Sequence, residues 1–285
     1  LCEELLEGGH TVFGVDKLPG RYTQFEEDLL GEQVAEVLID NLRPQVVVHL
    51  AAQVGRLFGE QDLRHTIESN GVMTGLVAQS CAAIGAELVY ASTSEVYGDQ
   101  GEAWCIEGGP LKLPHNLYGL SKRWGEEVCA LYAPRRLKIL RLSMPYGPGV
   151  VPGRGRAALP NMLWQAHNLK EIPVHMGAER SWCYVDDTVR GIRLVVEKGE
   201  GIYNVGRDDQ KVSMAHVAVK ACDIANAPES LIKMVGAPVN QTVVKRLNTE
   251  RLVNLGWEPR VDLQDGMELV YRWVKQFDGE GRKVA

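Results

Sequence analysis

The sequence predicts a doubly wound α/β fold, a parallel sheet with helices on both faces, joined to a smaller α/β region. Strand-length apolar runs alternate with helix-length amphipathic segments through the first half of the chain. After Leu142 the texture changes to the Pro- and Gly-rich run SMPYGPGVVPGRGRAALP, followed by helices and short strands that abandon the alternation.

The chain opens on LCEELLEGGH, a helix that closes at Gly8 and Gly9 and feeds directly into a strand over Thr11 to Val15. Further strands are expected at Tyr22 to Phe25, Val46 to Leu50, Glu87 to Ala91 and Leu137 to Leu142. Helices are expected at Gln33 to Leu42, Leu63 to Ile84 and Tyr118 to Leu131. The opening strand of such a fold is expected to be absent from this sequence. Residues 1–145 are read as the sheet domain, rejoined by a segment at about 184–206, and residues 146–183 and 207–285 as the smaller region.

A chain of 285 residues, 45% hydrophobic and 24% charged, has the composition of an ordinary folded protein with a sizeable core. Its net charge of −6, with scattered Lys and Arg, offers no basic field for nucleic acid. No apolar run approaches the roughly 20 residues that span a bilayer, and no basic stretch followed by an apolar one marks export. Six widely spaced cysteines without a C-x-x-C pair or zinc-spaced histidines read as reduced, mostly buried thiols and not as metal ligands. A cytoplasmic protein without membrane, nucleic-acid or metal partners is expected.

Asp16 directly follows the strand TVFGV, where a doubly wound fold places a carboxylate to accept hydrogen bonds from an adenosine ribose. A turn before Pro19-Gly20 explains one such Asp equally well. Small residues in HLAA, His49 to Ala52, let a flat cofactor approach the backbone at the end of a buried strand; tight packing would use the same residues. Tyr118 and Lys122 share a helix face in YGLSK, and a lysine cation beside the phenol is expected to depress its pKa from about 10 toward neutrality. Alone the motif is weak, since nine tyrosines give roughly 0.4 chance matches. ASTSEVYG, at the carboxyl end of the strand ELVYA, supplies Thr93 and Ser94 to bind a hydroxyl and Glu95 to take or give a proton. A Ser/Thr turn is its plainer reading.

Together these elements resemble the extended short-chain dehydrogenase/reductase superfamily, and within it the NAD-dependent sugar-nucleotide epimerases and dehydratases. In that family a Ser or Thr stands four residues before the Tyr of V-Y-G, and Y-x-x-x-K follows about 25 residues later, as Thr93, Tyr118 and Lys122 do. Asn70 in ESNGVMTG, RLSMPYGPG (141–149), ERSWCYVDD (179–187), YNVG (203–206) and LNTERLVNLGWEP (247–259) extend the likeness nearly end to end.

The resemblance implies a Rossmann-like, NAD-binding sheet domain and a substrate-binding region. Tyr118 would deprotonate a sugar hydroxyl, commonly at C4, as NAD⁺ takes the hydride. Lys122 would hold the cofactor ribose, and Thr93 would orient the hydroxyl. Asp16, Asp28, Leu50, Ala51, Ala52 and Asn70 would line the cofactor, with Tyr118 and Lys122. Arg180 would hold the nucleotide diphosphate of the substrate, and Asn161 would bind on the substrate side. A surface ion pair for Arg180 and a helix cap for Asn161 are the plainer alternatives.

Epimerisation, dehydration and decarboxylation all proceed from the 4-keto sugar. Glu95 leans the sequence toward the latter two, with Ser94 where glucose-type dehydratases carry Asp. Two departures stand out. Met144 occupies the family's Asn in R-x-x-N, and no G-x-x-G-x-x-G turn occurs, so weak NAD binding by these 285 residues is expected. A non-catalytic NAD or sugar-nucleotide binder and a simple alcohol or steroid dehydrogenase remain as other readings. A homodimer through the helices at Leu63 to Ile84 and Tyr118 to Leu131 is the assembly the resemblance implies.

Overall fold

The computed structural model describes residues 1–132, 136–153, 157–209, 211–278 and 280–283. Four parallel strands make the central sheet: β3 (Val46–His49), β4 (Glu87–Thr93), β6 (Leu137–Leu142) and β11 (Gly201–Val205), in the order β11-β6-β4-β3. Before them come α1 (Cys2–Glu7), β1 (Val15–Asp16), β2 (Phe25–Glu26) and α2 (Val34–Leu42). Between β3 and β4 run α3 (Arg56–Gln61), α4 (Leu63–Ile67) and α5 (Met73–Ile84); β5 (Trp104–Cys105) and α6 (Leu117–Tyr132) lead to β6.

β1 and β2 pair with each other in parallel, and both are shorter than the sequence suggests. The Gln24 side chain causes this: its amide oxygen accepts from Gly14 N at 2.5 Å and its nitrogen reaches Val12 O at 3.5 Å, so a side chain takes bonds that a ladder would use. The helix expected over Leu63 to Ile84 is found, but it widens into a π turn at Glu68–Val72 that buries Ser69, Asn70 and Gly71. Such turns place side chains off the regular helical period.

Apolar residues seal both faces of the sheet. Ala35, Ile39, Val77, Ala78, Leu88 and Cys129 join α2, α5 and α6 to one face. Val89, Leu140, Ile192, Val195, Leu252 and Trp257 close the other, beneath α8 (Val185–Lys198) and α10 (Glu250–Val253). α6 is fixed by a buried ion pair, Arg141 to Glu126 at 2.8 Å, with Ser92 donating to Glu126 at 2.5 Å. A pair so buried offsets its desolvation only with such geometry. Gly125 lets α6 approach the sheet, because a Cβ there would overlap the Tyr90 hydroxyl.

The remaining elements are β7 (Pro145–Tyr146), α7 (Ala158–His167), β8 (Ile172–His175), β9 (Glu179–Ser181), β10 (Cys183–Tyr184), β12 (Lys211–Ser213), α9 (Met214–Ala225), β13 (Ile232–Val235), β14 (Arg246–Leu247) and α11 (Leu263–Val274). Their strands pair two by two: β7 with β10, β8 with β13, β9 with β12, β5 with β14. A separate core, including Leu159, Leu163, Ile172, Trp182, Val217 and Met267, holds this region together. α8 and β11 return to the central sheet, β11 alongside β6. Of the loop read at 143–160, residues 154–156 lie outside the described residues. Among the described residues no helix is long and apolar enough to cross a membrane, and no group of three or more His, Cys, Asp or Glu could hold a metal ion.

Candidate active site

β4 ends at Thr93, and the chain turns at once into a 3₁₀ turn, Ser94–Tyr97. Thr93 starts that turn by accepting from Glu95 N at 3.3 Å. Gly98, at φ 65°, ends it where a Cβ would lie 2.6 Å from Leu113 O. α6 starts nearby: Asn116 Oδ1 accepts from Gly119 N at 2.8 Å, and Glu60 accepts from Leu117 N at 2.8 Å. Tyr118 therefore lies over the end of β4, near enough to Thr93 and Glu95 for both to act on its phenol. Asn116 Nδ2 reaches Glu95 Oε2 at 3.2 Å. Thr93, Glu95 and Tyr118 are thus brought together, with Ser94 buried beside them.

The expected depression of Tyr118 by Lys122 is not found. Burial is the largest influence on Tyr118 and pushes the phenol up to about 12, with the Thr93 bond pulling it down and the charge of Glu95 pushing it further up. The ring keeps part of its surface open while its hydroxyl end lies deep. Lys122 turns instead to the face of Tyr90, with its ammonium 4.2 Å from the ring centre. Burial drops Lys122 to about 7, opposed by Cys129 and Glu126.

Glu95 is held differently. Burial alone would raise its carboxyl, but Lys245, 2.5 Å away, together with Arg180 and the Asn116 bond, outweighs burial and leaves it below its ordinary value. Arg180 is itself buried: Nη1 donates to Glu179 O at 2.8 Å and Val243 O at 2.7 Å, and Nη2 to Thr242 O at 2.6 Å. Arg180 is not a surface ion pair, since it is buried and these bonds go to backbone carbonyls.

On the cofactor side, Asp16 is exposed and accepts from Leu18 N at 2.9 Å, the turn before Pro19-Gly20. Asp28 is exposed as well, and accepts from Leu30 N at 3.0 Å. Leu50 and Ala51 are exposed beyond β3, and Ala52 is partly so. Asp16, residues 50–52, Tyr118 and Lys122 all lie at the carboxyl ends of parallel strands, or beside them, and the carboxylate and small residues there fit a dinucleotide laid across that edge. Asn70 is fully buried, its amide accepting from Gln53 N at 2.8 Å and donating to Gln53 O and Ser121 Oγ at 2.9 Å each. Its bonds set the loop after residues 50–52 against α6. Asn161 does not cap α7, whose N-cap is Ala157; it accepts from Gly153 N at 2.9 Å. Met144 sits at φ 36° and packs against the core of the smaller region.

Sequence reasoning missed Lys245, Asn116, Asn240 and Arg56. Arg56 donates to Asn240 Oδ1 at 2.8 Å, and Asn116 Nδ2 reaches Asn240 O at 3.4 Å. Asn116, immediately before α6, was open to a capping argument; the other three carried no signal, because only the tertiary fold brings residues 240–245 against the end of β4.

Residues 1–206 match the model of a family described as the NAD dependent epimerase/dehydratase family. UDP-glucuronic acid decarboxylase 5 of Arabidopsis thaliana is 29% identical over 255 residues, covering 85% of this chain and 73% of that protein. A trifunctional Arabidopsis thaliana protein, UDP-glucose 4,6-dehydratase/UDP-4-keto-6-deoxy-D-glucose 3,5-epimerase/UDP-4-keto-L-rhamnose-reductase, is 27% identical over 265 residues; this chain spans only 38% of its length. In structure, the chain is similar to UDP-glucose 4-epimerase of Thermus thermophilus in complex with NAD, with a TM-score of 0.86 at 24% identity, covering 96% of this chain and 94% of that one.

Proposed function

The chain belongs to the NAD-dependent epimerase/dehydratase family, and on that premise we propose that it oxidises a nucleotide-diphosphate sugar transiently at C4 and returns the hydride within the same site. One observation carries this reading: α6 brings Tyr118 against Thr93 and Glu95 at the carboxyl end of β4. NAD⁺, when bound, supplies the hydride acceptor and a positive charge. Asp16 and residues 50–52 would hold its adenosine side, behind the loop that Asn70 sets, with Asp28 beyond β2. Lys122 would hold its nicotinamide ribose.

Thr93 sits between the Tyr118 hydroxyl and the turn, so it orients the sugar hydroxyl and Tyr118 takes the proton. With its pKa pushed up to about 12 the phenol is protonated at neutral pH and cannot accept a proton, so the positive charge of bound NAD⁺ and of Lys122 would have to lower it. Glu95 stands ready for the step after oxidation. Arg180 acts on that carboxylate through its charge and fixes residues 242–243, with Asn161 further out on the substrate side.

Decarboxylation of a nucleotide-linked uronic acid is the second reading. The cations Lys245 and Arg180 beside Glu95, with Arg56 facing Arg180, favour a substrate with its own carboxylate at C5. We also assign a homodimer to the faces of α5 and α6, where Val72, Leu76, Leu120, Trp124 and Leu131 are exposed, and a cytoplasmic location to its free cysteines. Incubation with NAD⁺ and a panel of UDP-, GDP-, CDP- and dTDP-sugars, followed by product analysis, tests the reading. An epimer, a 4-keto-6-deoxy sugar or a pentose with CO₂ is expected. Net release of NADH would instead mark a simple dehydrogenase.

A further inference from the structure

Lys245 reaches Glu95 across 150 residues of sequence. Its side chain is 4% exposed, it lies just before β14, and its ammonium is 2.5 Å from Glu95 Oε1. Asn116 holds the other carboxylate oxygen at 3.2 Å. Both oxygens are therefore held by donors, and the charge of the carboxylate acts on the neighbouring Tyr118 phenol. A buried lysine is destabilising unless paired, and the partner of this one is the carboxylate beside those hydroxyls.

We propose that Lys245 is a positioning residue that keeps Glu95 an oriented carboxylate and so commits it to removing a proton from the carbon beside the new ketone. This rests on the transient-oxidation reading above. In the step itself the C5–H bond breaks, its electron pair forms the enolate of the 4-ketone, and the proton forms the O–H bond of Glu95. In dehydration the enolate then expels the C6 hydroxyl, which leaves as water with that proton.

The charged groups that face Glu95 support a base and not an acid. Lys245 comes from the segment before β14, Arg180 from β9, and Tyr118 from α6. Arg56, from α3, faces Arg180, and Cys105, from β5, faces Lys245. Two cations act on Glu95 directly, and the phenol is protonated at neutral pH, so no anion opposes the carboxylate. Burial, which pushes Glu95 upward, is overcome while Lys245 stands, and prevails once it is gone.

The test follows two signals in the full chain with NAD⁺ and whichever sugar nucleotide turns over. Transient reduced cofactor on the enzyme, read at 340 nm within a single turnover, reports oxidation, and exchange of the C5 proton with deuterated water reports Glu95. In Lys245→Gln the C5 exchange should fall at least tenfold at pH 6.5 and recover as pH rises, its acid limb moving up by at least about one unit. NADH formation should change by less than about threefold, and Lys245→Arg should restore the limb. An unmoved limb would overturn the proposal, as would equal loss of oxidation with a raised KM, the mark of a substrate ligand. A ¹³C-carboxyl titration of the unaltered protein, assigned with Glu95→Gln, stands apart from variant folding. Glu95 should be ionised at pH 5, and a protonated carboxyl there contradicts the idea. If no sugar nucleotide gives NADH or product with the unaltered protein, the functional reading fails, not this one.

Discussion

The two walls of residues around Glu95 are built from different chemistry. The sheet wall, β4 and α6, offers Thr93, Tyr118 and Lys122, groups whose protonation is set by burial: the phenol pushed up to about 12 and the ammonium down to about 7. The opposite wall, from β9 and the segment before β14, offers Arg180 and Lys245, which act as standing charge beside Glu95. Burial governs the titratable groups of one wall, and paired charge governs those of the other. Beneath the sheet wall Arg141 pairs with Glu126, and Gly125 lies against the Tyr90 hydroxyl.

Removing the proton carrier of the sheet wall should do the most damage. Tyr118→Phe is expected to lower turnover about 10³-fold, within the range of general acid–base catalysis, while the melting temperature holds. Turnover like that of the unaltered protein would break the comparison. Glu95→Gln should leave NADH formation and stop the chemistry after it, with a loss of about 10²-fold in product; equal loss in both steps would move Glu95 to the sheet wall's task.

Two smaller effects probe rigidity and burial. Gly125→Ala forces a methyl against the Tyr90 hydroxyl and should cost about 1–3 kcal/mol in denaturant unfolding. A neutral result would show that the sheet wall yields. Lys122 has a folded pKa near 7 against an ordinary 10.5, so the unfolded chain binds more protons between those values and stability rises with pH there. Above about pH 9 the buried thiols of Cys81 and Cys129, raised to about 12, act the other way, so the clean window is pH 7 to 9. Lys122→Met should remove that rise in melting temperature; an identical rise in both proteins would contradict the burial argument.

The legible part of the molecule was the part ruled by local pattern. The apolar runs of β3, β4 and β6 announced the sheet, and Thr93, Tyr118 and Lys122 announced the sheet wall, since each sits at a fixed offset from a strand or helix end. The π turn at Glu68–Val72 and the short β1 were not legible, because the packing of Asn70 against Gln53 and Ser121 and the reach of the Gln24 side chain decided them. The second wall was the least legible. Lys245 lies in VVKRLN, where nothing local marks it, and the bonds of Arg180 to the carbonyls of residues 179, 242 and 243 are made only by the tertiary fold. Charge assembled across 150 residues is a property of the fold and leaves no periodicity in the sequence.

The central claim is that the hydride leaves C4 and comes back within one site. The most direct measurement uses a sugar nucleotide that the protein converts, deuterated at C4, with NAD⁺ supplied and the product read by mass spectrometry. The account predicts a product that keeps the deuterium, no accumulation of NADH at 340 nm, and neither product nor label transfer with Tyr118→Phe. Deuterium accumulating in free reduced cofactor, one equivalent per sugar consumed, would contradict it.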